Sequence, residues 1–496
     1  MAASAPFFLF LFLSATASAA ATSSSSPQTA AIHLPLRHIN AVSSDGGGLS
    51  GAQRLAGLVS ASLFRARHMK DPEKIVGTDA GAPSAVPVSR NPLFSHSYGG
   101  YTISLGFGTP PQRIPLVVDT GSDLVWVPCT RSYVCNNCSF PRPGVGVAPP
   151  PLVFSPKSSS SAKLVGCRNP KCSWIHSPDL ITRCRDCPVN GSASACSPVC
   201  PPYMVVYGSG STGGLLLSEK LELSPAAAGP IADFAVGCSL FSARQPPAGV
   251  VGFGRGPASL PSQLGLPRFS YCLVSRRFDD ASGESGSIIL GGASFSSSSS
   301  SGGISFTPFL KNPSAGSPFS IYYYLALHRI TVDGRKVKIP RAALAPRAGG
   351  DGGTVIDSGT TFTYMEPDVF APLERAVEAR VAGRYNRSAA AETTTGLRPC
   401  FSPASPSEKL QLPQLSFHFK GGAEMRLPLA NYFAFAGGSG AVCLTIITDA
   451  GGAGGAADGG PSVILGSFQQ QNYHVVYDLE RERLGFRRQS CLEKQS

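Results

Sequence analysis

The sequence predicts an all-β chain built as two similar lobes, and three observations carry that expectation. Glycine and proline are abundant, 55 and 43 of 496 residues, which favours many turns over long helices. Stretches such as YTISLGFG, from Tyr101, alternate apolar and polar side chains in the manner of a half-buried strand. A local unit of strand, tight Asp-containing loop and strand occurs twice. It reads RIPLVVDTGSDLVWVPC around Asp119 and GGTVIDSGTTFTYM around Asp357, 238 positions later. A repeat at that separation is the size of a lobe.

The chain opens on a leader. An apolar run from Phe7 to Leu13 is followed by small residues, with cleavage expected near Ala20 or Ala21. The run is too short to cross a bilayer, and no hydrophobic tail for a lipid anchor closes the chain. We therefore expect residues 1–22 to be a signal peptide, no membrane anchor, and passage through the secretory path. Residues 23–97 differ from the rest of the chain. They are rich in Ser, Ala and Gly, lack cysteine, and hold one helical stretch, Ala52 to Met69. A cleavable pro-segment has this character; a disordered linker is the alternative.

The N-terminal lobe is expected over 98–310 and the C-terminal lobe over 311–496. PPYMVVYGSGSTGGLLLSEKLEL reads as a hairpin with a Gly-rich tip. SIYYYLALHRITVDGRKV reads as two strands joined at Asp333-Gly334, and SVILGSFQQQNYHVVYDLERERLGF as three short strands. Phe370, Leu373, Val377 and Val381 share one face of a helix with Pro367 and Pro372 near its start. The serine run at 296–301 and the Gly/Ala-rich 450–460 read as surface loops.

Fourteen cysteines in an exported chain imply disulfides, and nine lie in a block at 129–200. Cys135-x-x-Cys138 and Cys184-x-x-Cys187 also have zinc-ribbon spacing, but export favours disulfides over metal. Asn137, Asn190 and Asn386 each begin a glycosylation sequon. The net charge of +12 (42 Lys+Arg against 30 Asp+Glu) raises nucleic acid as a partner. The densest basic stretch, Arg65, Arg67, Lys70 and Lys74, has no interleaved aromatics, so it reads as a solvated basic surface and no nucleic-acid partner is expected.

The chemistry resides in the repeated loop. Val117-Val118-Asp119-Thr120-Gly121-Ser122 matches Val355-Ile356-Asp357-Ser358-Gly359-Thr360 position by position. Two facing carboxyls cannot both ionise easily, so the pair holds one proton. One member can then activate a water while the other polarises a carbonyl, which is amide hydrolysis with neither metal nor cofactor. Gly121 and Gly359 let the backbones approach, and Thr120, Ser122, Ser358 and Thr360 offer hydroxyls to hold the carboxyls.

With DTGSDLVWVPC, YGSGSTGG, GVVGFGRGPASLPSQL, DSGTTFTY and ILGSFQQQNYHVVYDLERERLGF in view, the chain resembles the pepsin family of aspartic proteases. More narrowly, it resembles the plant nepenthesin-type branch, over 98–491. The resemblance implies a bilobal acid-protease fold with a cleft between homologous lobes. It implies Asp119 and Asp357 as catalytic pair, Tyr207 with Gly208 on a flap, Trp126 supporting Tyr207, and Thr120 and Ser358 locking the two loops together. Tyr207 lies 81 residues beyond Trp126, farther than in pepsin, because the Cys-rich block intervenes; the nepenthesin-type branch has an insertion there too. The resemblance suggests the disulfides Cys400–Cys443 and Cys238–Cys491. It implies a monomeric endopeptidase for flexible protein segments, active in acid, outside the cell or in its wall, with the vacuole as the alternative. Some plant relatives keep this fold without a catalytic aspartate and bind or inhibit glycan-degrading enzymes. Both loops and the tyrosine are intact here, which favours the protease.

Overall fold

A computed structural model describes residues 32–38, 51–70 and 100–492, the last without 137, 139–151, 177–198, 208–209, 225–228, 246–247, 276–284, 292–302, 314–316, 348–351, 404–409, 437–439 and 450–458. Strands dominate, and the two lobes repeat one local topology. In the first, the strand Gln112–Asp119 pairs in parallel with Gly249–Gly252, which pairs antiparallel with Trp126–Pro128. In the second, Thr354–Ile356 pairs in parallel with Val463–Leu465, which pairs antiparallel with Thr363–Met365. Each Asp-containing loop thus leaves a strand whose neighbour runs the same way. Parallel strands covered on both faces should read as near-continuous apolar runs. Leu116, Val117, Val118 and Val250, Val251 do so, and so do Val355, Ile356 and Ile464, Leu465; all are buried.

A single fifteen-stranded sheet runs through the N-terminal lobe and takes in the last two strands of the chain, Tyr473–Asp478 and Arg483–Arg488. These pair with each other, and Tyr473–Asp478 pairs with Arg268–Cys272. The seam is aromatic. Phe269 stacks on Tyr477 with ring centroids 4.3 Å apart, and Tyr323 meets Tyr477 edge-on at 4.8 Å. The last two strands, expected with the C-terminal lobe, therefore join the sheet of the first and tie the lobes together. Asp333-Gly334 makes its expected turn with both residues at positive φ, 47° and 73°. The helix Pro367–Val381 buries Phe370, Leu373, Val377 and Val381 as the periodicity predicts. The YYYLALHRITV stretch divides into two strands, Tyr323–Leu325 and Leu327–Val332, rather than one.

Five disulfides join described cysteines, and none of the described cysteines is free. Cys400–Cys443 forms as expected, bridging directly paired strand positions. The suggested Cys238–Cys491 pair does not form. Val127 pairs with Cys238 across parallel strands, so Cys129, two residues on, reaches Cys238. Cys491, just beyond the terminal strand, bonds instead to Cys272, at the end of the strand that pairs with Tyr473–Asp478. Cys135 and Cys138 bond to each other, so the zinc-ribbon spacing there is taken by a disulfide.

Two elements precede the first lobe. The strand Ile32–His38 enters the large sheet between Ser285–Leu290 and Tyr101–Phe107. The helix Gly51–Lys70 covers the predicted Ala52–Met69 stretch. Its apolar positions recur at helical spacing, and Leu55, Leu58, Val59, Ala66 and Met69 are all buried. They pack on Phe319, Tyr322, Phe362, Tyr364 and Phe468 of the C-terminal lobe. Arg67 and Lys70 occupy the last turn, where positive charge suits the helix dipole.

The aromatic seam sets a stability expectation. Phe269→Ala, at a position with no exposure, should lower unfolding free energy by about 3–5 kcal/mol, read from denaturant midpoints. A loss under about 1 kcal/mol would show that the terminal strands hold without this stack.

Candidate active site

The two predicted loops meet, and each carboxyl is held by a matching set of donors. Gly121 N donates to Asp119 Oδ1 at 3.0 Å and Ser122 Oγ to Asp119 Oδ2 at 2.6 Å. Gly359 N donates to Asp357 Oδ1 at 2.9 Å and Thr360 Oγ1 to Asp357 Oδ2 at 2.6 Å. The loops also clasp each other. Thr120 N donates to Ser358 Oγ at 3.1 Å while Ser358 N donates to Thr120 Oγ1 at 2.9 Å. The hydroxyls pass the contact on, Ser358 Oγ to the Val118 carbonyl at 2.8 Å and Thr120 Oγ1 to the Ile356 carbonyl at 3.5 Å. All four residues are buried, so each unmade bond would carry its full desolvation cost.

Glycine is required in both loops by close approach. A Cβ on Gly121 would lie 2.7 Å from Asp357 Oδ1, and one on Gly359 would lie 2.3 Å from Asp119 Oδ1. Each loop's glycine thus makes room for the other loop's carboxyl. Burial raises the Asp357 pKa, the cation beside it lowers it, and the Asp119 charge raises it again; the outcome is a carboxyl above its ordinary range.

The expected flap is the hairpin of Tyr203–Tyr207 and Gly210–Glu222. Trp126 Nε1 donates to the Tyr207 hydroxyl at 2.8 Å, as the resemblance implies. Gly208 lies outside the described residues, as do Asn137 and Asn190. Asn386 is exposed on a two-residue strand.

What the sequence did not disclose is what fills the site. Arg65, on the helix Gly51–Lys70, places Nη2 2.7 Å from Asp119 Oδ1 and Nε 3.3 Å from Asp357 Oδ2. One guanidinium bridges both carboxyls, a geometry suited to its planar fork. Burial alone would lower its pKa, but the two carboxylates outweigh burial and hold it above its ordinary value. The helix is anchored at two further points. Ser62 Oγ accepts from Phe362 N at 3.0 Å, and Lys70 Nζ reaches Glu366 Oε1 at 2.5 Å. Arg65 and Lys70 are 8% and 5% exposed. The expectation of a solvated basic surface is therefore corrected for these two residues. The sequence signal was the apolar periodicity through 55–69, which aims Arg65 along the buried face rather than into water.

A third aspartate sits close by. Asp123 Oδ1 accepts from Gly256 N at 2.9 Å, and a Cβ on Gly254 or Gly256 would collide with its carboxyl. Gly254 N also donates to the Ser122 carbonyl, and Phe253 N to the Asp119 carbonyl. Asp123 thus belongs to the scaffold that backs the first loop. Burial raises its pKa, the Gly256 N–H partly offsets this, and the result is about 7.

Similarity to known proteins points the same way. Residues 101–292 match the family model described as Xylanase inhibitor N-terminal, and 322–488 match Xylanase inhibitor C-terminal. A probable aspartyl protease of Arabidopsis thaliana (At4g16563) is 33% identical over 433 residues, spanning 79% of this chain and 82% of that one. Aspartic proteinase nepenthesin-1 of Nepenthes gracilis is 30% identical over 398 residues, spanning 79% and 78%. Among solved structures, that of edgp superposes with a TM-score of 0.58 at 18% identity, covering 92% and 95% of the two chains. Basic 7S globulin from soybean superposes at 0.55 with 19% identity, covering 80% and 93%. These structures establish the all-β bilobal fold.

The raised Asp123 value sets a pH dependence. The folded chain binds this proton more tightly than the unfolded chain, whose carboxyl titrates near 3.8. Folding stability should therefore fall as pH rises from about 4 to about 7, then level off. Asp123→Asn, which keeps an acceptor for Gly256 N, should flatten that slope in thermal unfolding midpoints taken from about pH 3 to 8. An unchanged slope would remove Asp123 as its source.

Proposed function

This chain belongs to the plant pepsin-like aspartic protease family, and from that premise we propose that it is an aspartic endopeptidase, made as a precursor that its own residues 51–70 hold inactive. The observation that carries the catalytic reading is the matched seating of Asp119 and Asp357, each with one backbone N–H and one hydroxyl at equivalent oxygens. Such a pair retains one proton in acid and titrates as a unit. The ionised member takes a proton from a water lying between them. The water oxygen bonds to the substrate carbonyl carbon as the protonated member donates to the carbonyl oxygen. The resulting gem-diol collapses: the ionised member takes a proton from one diol hydroxyl, the C=O re-forms, the C–N bond breaks, and the protonated member gives its proton to the leaving nitrogen, so the pair again holds one proton. Tyr207 and its hairpin close over an extended substrate and exclude bulk water. The substrates are flexible protein segments, bound largely by their backbones.

Arg65 supports the precursor reading, because it occupies the place where the water must sit. The helix also covers Phe319, Tyr322 and Phe362 beside the dyad. Its ionic anchors are carboxylates: the dyad for Arg65 and Glu366 for Lys70. As pH falls, Asp357, held above its ordinary range, takes up a proton while Arg65 stays charged. A buried cation without a counter-charge is strongly unfavourable, so acid should expel the helix. The leader and the disulfides support delivery through the secretory path to the cell exterior or wall, with the vacuole as the alternative destination.

Cleavage of an unfolded protein by the acid-treated full chain, followed from about pH 3 to 7, tests the catalytic reading. We expect an acid maximum, lost by a factor of roughly 10² or more in Asp119→Asn and in Asp357→Asn. Stable, processed protein that cuts nothing would sink the reading and favour a silent binding or inhibitor protein of the same fold.

The precursor reading has its own test. Arg65→Gln in the untreated full chain should raise cleavage at about pH 5–6 by roughly tenfold or more, the equivalent of about 1.4 kcal/mol of lost blocking. Equal activity of variant and wild-type precursors would dismiss Arg65 as the block.

A further inference from the structure

A small cavity of about 60 Å³ remains beneath the flap, beside the dyad. The helix Gly51–Lys70 contributes Ala61 and Arg65 to its wall. The N-terminal lobe contributes Val117, Tyr207, Gln245 and Val250, and Asp119 lies at its edge.

Gln245 is the unusual member. It is 2% exposed, and its Nε2 has no hydrogen-bond partner among the described residues. The Nε2 groups of the other buried glutamines among the described residues have acceptors. Gln469 Nε2 donates to the Asn431 and Thr445 carbonyls, and Gln470 Nε2 to the Leu465 carbonyl at 2.9 Å. A buried amide donor left without an acceptor is costly, and one that lines a cavity beside the dyad can be satisfied by a ligand that enters it.

The backbone accounts for the placement. The strand Ile231–Ala243 ends under the flap, so close that a Cβ on Gly210 would lie 1.9 Å from the Ala243 carbonyl oxygen. Arg244 then takes a left-handed conformation, φ 54°, with its N–H held by the Asn136 carbonyl at 2.9 Å. That turn carries the chain off the sheet and brings Gln245 to the cavity. The neighbouring polar groups are already engaged. The Tyr207 hydroxyl accepts from Trp126, and Asp119 is held by its own loop.

We infer that Gln245 determines specificity: once the helix leaves, its Nε2 donates to the side-chain oxygen of a substrate residue next to the scissile bond, selecting Asn, Gln, Asp or Glu over apolar residues. The inference rests on the protease reading above. Withdrawal of Ala61 and Arg65 enlarges the cavity into a pocket open toward the dyad. Val117 and Val250 flank a methylene stem, and Gln245 meets the oxygen at its tip. An apolar side chain in the same pocket leaves the amide unpaired, and sites built around a hydrogen bond discriminate strongly against partners that lack it.

The test uses acid-activated full chain and peptides that carry Gln or Met, nearly equal in length, at each of the two positions flanking the scissile bond. For wild type, kcat/KM should favour Gln at one of these positions by roughly tenfold, the worth of one buried hydrogen bond. Gln245→Met should reverse that preference, and Gln245→Asn, which keeps an amide, should restore part of it. The same Gln/Met ratio in wild type and Gln245→Met overturns the inference while cleavage of the Met peptides keeps the protease reading intact. No cleavage of any peptide by wild type overturns both. Should Gln245→Met fail to fold, the ratio measured with Gln245→Ala decides in its place.

Discussion

Four hydrogen bonds between two buried loops hold the cleft together at its floor. Thr120 and Ser358 exchange backbone donors for hydroxyl acceptors across the lobe boundary, and each hydroxyl continues to a carbonyl of the opposite strand. The carboxyls stand one residue before these contacts, so their separation follows from the clasp rather than from the lobes above it. Preorganisation of this kind is what facing carboxyls need, since a displacement of even about 1 Å would uncouple them. The glycine after each clasp residue completes the arrangement by admitting the opposing carboxyl where any Cβ would collide.

Local chemistry explains how much could be read from the chain. The two loops were legible because identical tasks impose identical residues on both. The helix Pro367–Val381 and the turn at Asp333-Gly334 were legible because periodicity and positive φ are local demands. The pairing of Cys238 with Cys129 was not, because it depends on a parallel register between distant strands. The strand Ile32–His38 gave no signal strong enough to separate it from its Ser/Ala-rich surroundings. Arg65 was hidden for a related reason. Its partners lie 54 and 292 positions away, and a basic residue in a polar segment reads as solvated until the fold supplies two buried carboxylates. Gln245 had no sequence signal: only the unpaired amide beside a small cavity marks it.

The helix and the cleft share their design. An apolar face of Leu55, Leu58, Val59 and Met69 lies on the aromatic wall of the second lobe, and one cation crosses to the dyad. Apolar burial is insensitive to acid while the ion pairs are not, so the two parts of the contact divide the labour. In the precursor proposal the first would hold the helix whatever the pH, and the second would make the hold conditional on pH.

The strand Ile32–His38 lies inside its sheet, paired on one side with Ser285–Leu290 over six positions and on the other with Tyr101–Phe107 over two. Cutting the chain beyond it does not by itself remove it. Were it to leave, it would open a slot with two rows of unpaired N–H and C=O groups, the kind of edge that recruits any extended chain within reach. A nicked chain therefore has a choice between keeping a fragment of its own beginning as a permanent non-covalent subunit and refilling the slot with the residues that become its new start. Under the precursor proposal, maturation would be a one-way step in either case: the resulting molecule would no longer carry in covalent order a strand that lies inside its sheet.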